Sequence, residues 1–530
     1  MLSPYAQTIF ERTYRLNENE TWEGCAKRVS KFVANGDLDL EEKFFTAIKD
    51  RKFIPGGRYL YAAGRDIPQI NNCFLLRAED SREGWATLLS KHLHVLSTGG
   101  GCGTNYSQVR PRGTPIKRFG GFASGPVSLM MMINEVARHV RAGAARRSAL
   151  WAGLNWAHPD VDEFIAVKNW STDIRAMKER DFNNPAALDM TNISVCLDDA
   201  FFKAVKTDET VQNFYYKIVK NMCKTGEPGF SVDVGEKAGE DLRNPCTEIT
   251  STDDSDICNL GSINLARIRD LDELEEMVRL GVAFLYLGSQ LGYIPHGDFE
   301  TVRQKNRRIG LGIMGMHEWL LLNGLRYEPN GKLGRWLGVY QAVSDEAAGK
   351  LAVKYGGAVP VAVRAIAPTG TIGIIGETTT GIEPVFCVAY KRRWFDQGGK
   401  WKYSYVIDPT VARLVREKGI IPSDVEDTQT LAEDVERRIA MQAFVQDYVD
   451  QGISSTINLP EFGEPGNSNS KRFGNLLLEY LPRLRGITVY PDGSRAGQPI
   501  TPIKYETAIK HENVIFEESS ERCAGGVCGL

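Results

Sequence analysis

The sequence predicts an α/β fold organised around a largely parallel sheet, with a helical preface in front of it. Through the long middle of the chain, short apolar runs alternate with amphipathic stretches, as successive βα units do. The 530 residues are 42% hydrophobic and 25% charged, which supplies apolar surface for a large core. A Pro-Gly-Gly break at residues 55–57 separates this alternation from an opening whose only periodicity is helical.

Taken in order, residues 1–60 read as helical because Trp22, Ala26, Val29, Phe32 and Val33 recur at roughly helical spacing. Residues 73–76 and 193–197 are strand-like, and residues 81–96 and 272–287 are helix-like. From about residue 505 the alternation gives way to the polar, acidic, Gly-rich EESSERCAGGVCGL, which reads as a mobile tail. The expected units are therefore 1–60, 61–504 and 505–530. No short-period repeat or low-complexity tract is visible.

A net charge of −3 argues against a broad nucleic-acid-binding face, so an anionic substrate needs a local site. MLSPYAQTIFERTY reads as carrying no secretory signal, and the apolar stretch at 280–287 is too short to span a bilayer. Ten cysteines then suit a reducing cytoplasm, where thiols are catalytic, metal-binding or buried. With no CxxC pair and no HExxH, a metal site is not expected.

The strongest local signal is RNPCTEI, where Asn244, Cys246 and Glu248 alternate. Pro245 disfavours a helix and pushes Asn244 towards an extended conformation. In an extended segment the three side chains share one face, roughly 6.5 to 7 Å apart. An amide, a thiol and a carboxylate there suit orienting a ribose hydroxyl, removing a hydrogen atom and accepting a hydroxyl proton. A buried cysteine beside a loop amide is the bland alternative for the pentapeptide taken alone.

RNPCTEI followed by SDICNLGSINLA resembles the radical-bearing finger loop and second redox cysteine of ribonucleotide reductase large subunits. FIPGGRYLYAAGR, NNCFLL, GGGCGTNYSQVRPRGTPI, RRIGLGIMGMHEWL, APTGTIGIIGETTTGIEPVF and VYPDGSRAGQPI follow the family order over about residues 50–503. The resemblance implies a ten-stranded α/β barrel with a central finger loop, a helical N-terminal preface and a flexible C-terminal tail. It places Cys246 inside the barrel, away from water, as the thiyl residue that takes the ribose 3' hydrogen. Glu248 then accepts the 3'-hydroxyl proton, Asn244 orients the hydroxyls, and Cys73 and Cys258 supply two electrons and end as a disulfide. Thr369, Gly370, Thr371 and Ile372 match the loop for the substrate diphosphate, with Arg58 assisting. Asp80 matches the carboxylate that binds a dNTP or ATP effector, with communicating loops near 117–124 and 178–191; its bland reading is a helix N-terminal aspartate. Cys523 and Cys528, with four residues between them in the Gly-rich tail and able to form a local disulfide, read as a shuttle that passes electrons from a thioredoxin- or glutaredoxin-type reductant, with incidental tail thiols as the bland alternative.

The resemblance is to the adenosylcobalamin-dependent branch, in a short form whose preface is too small for an ATP-cone domain of roughly 90 residues. The oxygen-dependent branch carries a tyrosine pair where this chain has Val489-Tyr490-Pro491, and the anaerobic branch carries four zinc-binding cysteines where this chain has two, Cys523 and Cys528. The implied activity is reduction of ribonucleoside diphosphates by a cytoplasmic monomer or homodimer with no membrane or nucleic-acid partner. The alternatives are an oxygen-dependent large subunit needing a radical-generating partner and a catalytically silent nucleotide-binding homologue. One further pattern, Gly310-x-Gly312-x-x-Gly315, imitates a dinucleotide fingerprint, but the polar run 304–308 stands where its strand should be. These glycines read as close-packing or turn residues.

Overall fold

The computed structural model describes residues 2–117, 120–140, 148–181, 183–395, 401–511 except 495–499, and 515–516. Three helices, Pro4–Thr13, Trp22–Ala34 and Leu38–Lys49, form the preface. Each begins at a side-chain oxygen, from Ser3, Thr21 and Asp37, which accepts a hydrogen bond from an otherwise orphaned N–H of the first turn. Trp22, Ala26, Val29 and Val33 form the buried stripe of the second helix, as their spacing predicts.

Among the described residues sixteen strands follow: β1 (Phe53–Pro55), β2 (Cys73–Arg77), β3 (Gly101–Asn105), β4 (Leu150–Asn155), β5 (Thr191–Asp198), β6 (Gly229–Asp233), β7 (Leu242–Arg243), β8 (Thr250–Ser251), β9 (Asp256–Asn264), β10 (Ile309–Met314), β11 (Ala389–Phe395), β12 (Trp401–Ile407), β13 (Thr456–Leu459), β14 (Gly486–Pro491), β15 (Ile500–Pro502) and β16 (Ile515–Phe516). Ten of them form one sheet. Strands β2 to β6 are parallel; β13 and β14 are parallel, as are β9 and β10. These parallel groups meet antiparallel at β2 with β9 and at β6 with β14. β9 is long enough to pair with β2 over its first half and β1 over its second.

The ladder itself is open between β10 and β13, and residues 362–366 span the gap. Leu311 N–H donates to the Val363 carbonyl at 2.9 Å, and Ser454 N–H donates to the Ile366 carbonyl at 2.8 Å. Single bridges, Leu311 to Arg364 and Ile366 to Ile453, thus complete the ring. The hairpin β7–β8 enters this ring. Leu242 and Ile249, flanking its tip, share a buried cluster with Cys73, Leu75, Cys258 and Ala365 from the surrounding wall. Gly103 on β3 makes the close approach possible, since a Cβ there would lie 1.8 Å from the Arg243 carbonyl oxygen. Strands β11, β12, β15 and β16 form a separate antiparallel sheet.

The fingerprint-like glycines are packing and turn residues. Gly310 and Gly312 lie inside β10 rather than after it, and a Cβ on Gly310 would fall 2.4 Å from Leu260 Cδ2. Gly315 takes φ +73° to start the helix Met316–Leu322.

Candidate active site

The tip of the hairpin, residues 244–249, is a turn and not the extended segment its alternation suggests. Pro245 and Cys246 are its corner residues, closed by Thr247 N–H donating to the Asn244 carbonyl at 3.0 Å, and Thr247 has φ +65°. A proline's fixed φ suits the second position of such a turn as well as it suits a strand, which is why the sequence pattern misleads here. The tip is pinned on three sides. Asn244 Oδ1 accepts from Ile249 N–H at 3.0 Å, the Glu248 carbonyl accepts from Gly452 N–H at 2.7 Å, and Asn192 Nδ2 donates to the Pro245 carbonyl at 3.0 Å.

This turn still brings the expected groups together. Asn244 Nδ2 donates to Cys73 Sγ at 3.1 Å, and Cys73 Sγ lies 4.0 Å from Glu248 Oε1. Cys258 stands directly across from Cys73 in the antiparallel β2–β9 pairing, within the Cα separation a disulfide requires. Both thiols are buried, and burial raises both pKa values well above the ordinary range; nearby Glu248 adds to the rise at Cys73. These are thiols held protonated. Burial also lifts the Glu248 carboxyl to about 7, partly offset by the Asn244 amide, while Glu248 Oε2 is buried without a hydrogen-bond partner among the described residues. Cys246, by contrast, is exposed. The expectation that it is sealed from water is corrected: the tip of the turn projects its thiol beyond the packed cluster that buries Cys73 and Cys258.

Cys246, Cys73, Asn244 and Glu248 line a cavity of about 480 Å³; Cys258 does not line it and sits behind Cys73. Ala367 to Ile372 form another wall, continuing from the segment that completes the ring. Thr369 adopts φ +51° and opens the helix Gly370–Gly376 without a side-chain cap, its own hydroxyl accepting from Gly381 N–H at 2.8 Å. The Thr371 hydroxyl shares a 2.5 Å hydrogen bond with Tyr14. Arg58 also lines the cavity, although its guanidinium donates to the Gln69 and Thr98 carbonyls at 2.8 to 3.2 Å.

Asp80 lies outside this cavity. The cap of the helix Arg82–Ser97 is Ser81, and Asp80, the residue before it, stands at the helix N-terminus with its carboxylate paired to Arg110 at 2.7 Å. Residues 118–119 and 182 of the two expected communicating loops, and both Cys523 and Cys528, lie outside the described residues. Among the described residues no cluster of three histidine, cysteine or acidic side chains is placed to hold a metal ion, and no helix is long and apolar enough to cross a membrane. Sequence reasoning missed Arg12 and Tyr14, which reach the same cavity from the preface; a lone aromatic and a lone cation on a helical segment give no local signal of it.

A hairpin threaded into an α/β ring, presenting an exposed thiol beside a protonated cysteine pair and a carboxyl titrating near neutrality, defines a barrel enzyme of thiol chemistry. Comparison with known proteins makes the class specific. The family model for the ribonucleotide reductase barrel domain matches residues 71–230, 217–333 and 344–481, and that for the ribonucleotide reductase all-alpha domain matches residues 1–68. The chain belongs to the ribonucleotide reductase large-subunit family. It is 29% identical to a vitamin B12-dependent ribonucleoside-diphosphate reductase of Mycobacterium tuberculosis, over 99% of this chain and 84% of the relative. It is 26% identical to a protein of the same description from Thermoplasma acidophilum, over 97% of this chain and 74% of the relative. The fold is similar to that of the Actinobacillus ureae class Id ribonucleotide reductase alpha subunit, with TM-score 0.74 and 18% identity, covering 93% of this chain and 97% of that one.

Proposed function

We propose that this chain reduces ribonucleoside diphosphates to 2'-deoxyribonucleotides, with adenosylcobalamin as cofactor. The observation that carries the reading is the convergence of Cys246, Asn244, Glu248 and Cys73 on one cavity, with Cys258 paired behind Cys73. Cys246 Sγ removes the ribose 3' hydrogen and returns it to C3' at the end of the turnover, and Glu248 accepts the 3'-hydroxyl proton through its unpartnered Oε2 and gives it back as the 3'-hydroxyl is restored. Asn244 holds the hydroxyls in register. Cys73, protonated at neutral pH, gives its proton to the departing 2'-hydroxyl, which leaves as water. Loss of two electrons and two protons from Cys73 and Cys258 joins them as a disulfide, balancing the reduction of the ribose. Gly370, Thr371 and Ile372 offer backbone N–H groups at an uncapped helix start to the diphosphate, beside the Thr369 turn and Arg58.

Adenosylcobalamin, when bound, would supply the oxidising equivalent that makes the Cys246 thiyl radical. The site fits such a group: the thiol is exposed at an open cavity, and the small residues Gly99, Gly100, Gly101, Ser148 and Ala149 leave room along one part of its lining. Tyr490 lies in β14 next to Pro491, without the adjacent tyrosine that relay from a radical-generating subunit needs. We expect the purified chain to reduce CDP without oxygen and without a second protein when adenosylcobalamin is added, and not otherwise. Dependence on a metal-bearing partner subunit, with no response to cobalamin, would place the chain in the oxygen-dependent branch.

The buried disulfide must be re-reduced by something small and mobile. Cys523 and Cys528, with four residues between them in a Gly-rich stretch of the sequence, are the proposed dithiol for that exchange. With both changed to Ser, steady turnover driven by thioredoxin is expected to fall by about tenfold or more, while a small dithiol restores part of it by entering the cavity directly. Undiminished thioredoxin-driven turnover in that variant would exclude the segment as the shuttle. Asp80, at the start of the helix Arg82–Ser97, is the proposed carboxylate for the ribose of a dNTP or ATP effector.

A further inference from the structure

The helix Pro4–Thr13 is joined to both ends of the helix Gly370–Gly376, whose start lines the active-site cavity. At one end Ser3 N–H donates to Glu377 Oε1 at 2.6 Å, and Glu377 is the residue that terminates the shorter helix. At the other end the Tyr14 hydroxyl meets Thr371 Oγ1 at 2.5 Å. Tyr14 is itself buried, 3% exposed, and its hydroxyl would lie 3.1 Å from a Cβ on Gly57, so the ring fills the space between the preface and the cavity wall. Two residues before it, Arg12 stands exposed in the last turn of the helix and lines the same cavity.

Charge complementarity gives Arg12 a role. Among the described residues lining this cavity the cations are Arg12 and Arg58, and the Arg58 guanidinium already donates to two backbone carbonyls. A nucleoside diphosphate brings several negative charges into a cavity that also contains the Glu248 carboxyl. An arginine in the last turn of a helix is ordinarily explained by the helix dipole, but that interaction does not require the side chain to line a cavity. We propose that the N-terminal helix completes the substrate site, with Arg12 contacting the terminal phosphate and Tyr14 acting as a positioning residue that fixes the Thr371 hydroxyl at the cavity wall. This rests on the reading of the cavity as the nucleotide site.

The test is equilibrium binding of CDP and of cytidine to the full chain carrying Cys246→Ser, which cannot turn over. Arg12→Ala is expected to weaken CDP binding roughly tenfold, to leave cytidine within twofold, and to flatten the salt dependence of CDP binding. Arg12→Lys should recover most of the loss. Tyr14→Phe, which keeps the buried ring and removes only the hydroxyl, should weaken CDP about threefold and again spare cytidine. Arg15→Ala, on the same segment but outside the cavity lining, should change neither. CDP affinity within twofold of the parent in Arg12→Ala would overturn the proposal while leaving the cavity assignment intact. Failure of the parent to bind CDP at all would overturn both.

Discussion

Cys246→Ser is expected to lower deoxyribonucleotide formation by about 10³-fold or more while leaving CDP binding within about twofold. The two effects separate because of where the residue stands. Cys246 is exposed at the corner of a turn whose shape is set by other groups, namely the Thr247 N–H to Asn244 carbonyl bond, the Asn244 Oδ1 to Ile249 bond and the Gly452 contact. Replacing Sγ by a hydroxyl leaves all three in place. The side chain also takes no part in the buried cluster around Cys73 and Cys258, so stability should change by less than about 0.5 kcal/mol. What is lost is a sulfur able to carry an unpaired electron. A variant turning over at near wild-type rate, measured by deoxycytidine product against a wild-type control, would remove Cys246 from the chemistry.

Glu248→Gln is expected to abolish turnover and, at the same time, to stabilise the fold above neutrality. Its carboxyl titrates at about 7, raised by burial from an ordinary 4.5. As a base it works when ionised, so kcat/KM in the wild type should rise as pH increases through about 7 and level off above it. The stability effect has the opposite sign. Between pH 4.5 and 7 the folded protein holds a proton that the unfolded chain has released, so folding stability falls as pH rises through that window and stays low above it. The difference of 2.5 pH units corresponds to on the order of 3 kcal/mol as an upper bound. Glutamine has no such titration. At pH 8 Glu248→Gln should therefore melt above the wild type, and at pH 4 the two should melt together. Equal melting temperatures at both pH values would mean that Glu248 is not buried as described.

Much of this was legible beforehand where a single periodicity decides the outcome. The helix Trp22–Ala34 and strands β2 and β5 lie where their apolar spacing puts them, because burial of one face acts on each of them locally. The identities of Asn244, Cys246 and Glu248 were legible too, but their geometry was not. Alternation through Pro245 fits a strand and a turn equally, and what selects the turn is the set of hydrogen bonds from Asn192 and Gly452, distant in sequence. Completion of the ring by residues 362–366 leaves no signature, since it depends on single bridges rather than a ladder. Arg12 and Tyr14 were hidden for a different reason. Their spacing is that of an ordinary packed helix, and only the tertiary contact with Thr371 brings them to the cavity. Asp80 reads as a helix-start acid and stands just before the Ser81 cap, but its pairing with Arg110, distant in sequence, has no local signature.

If Cys73 and Cys258 supply the electrons for ribonucleotide reduction, they must be oxidised in step with product. A single-turnover experiment on the prereduced Cys523→Ser/Cys528→Ser chain with CDP, adenosylcobalamin and no external reductant, followed by mapping of the disulfide by mass spectrometry, reads this out. About one deoxycytidine diphosphate per active chain is expected, with a new disulfide joining Cys73 to Cys258, the pair set opposite each other on β2 and β9. Product formed while Cys73 and Cys258 remain as free thiols, or a disulfide between other cysteines, would contradict that role.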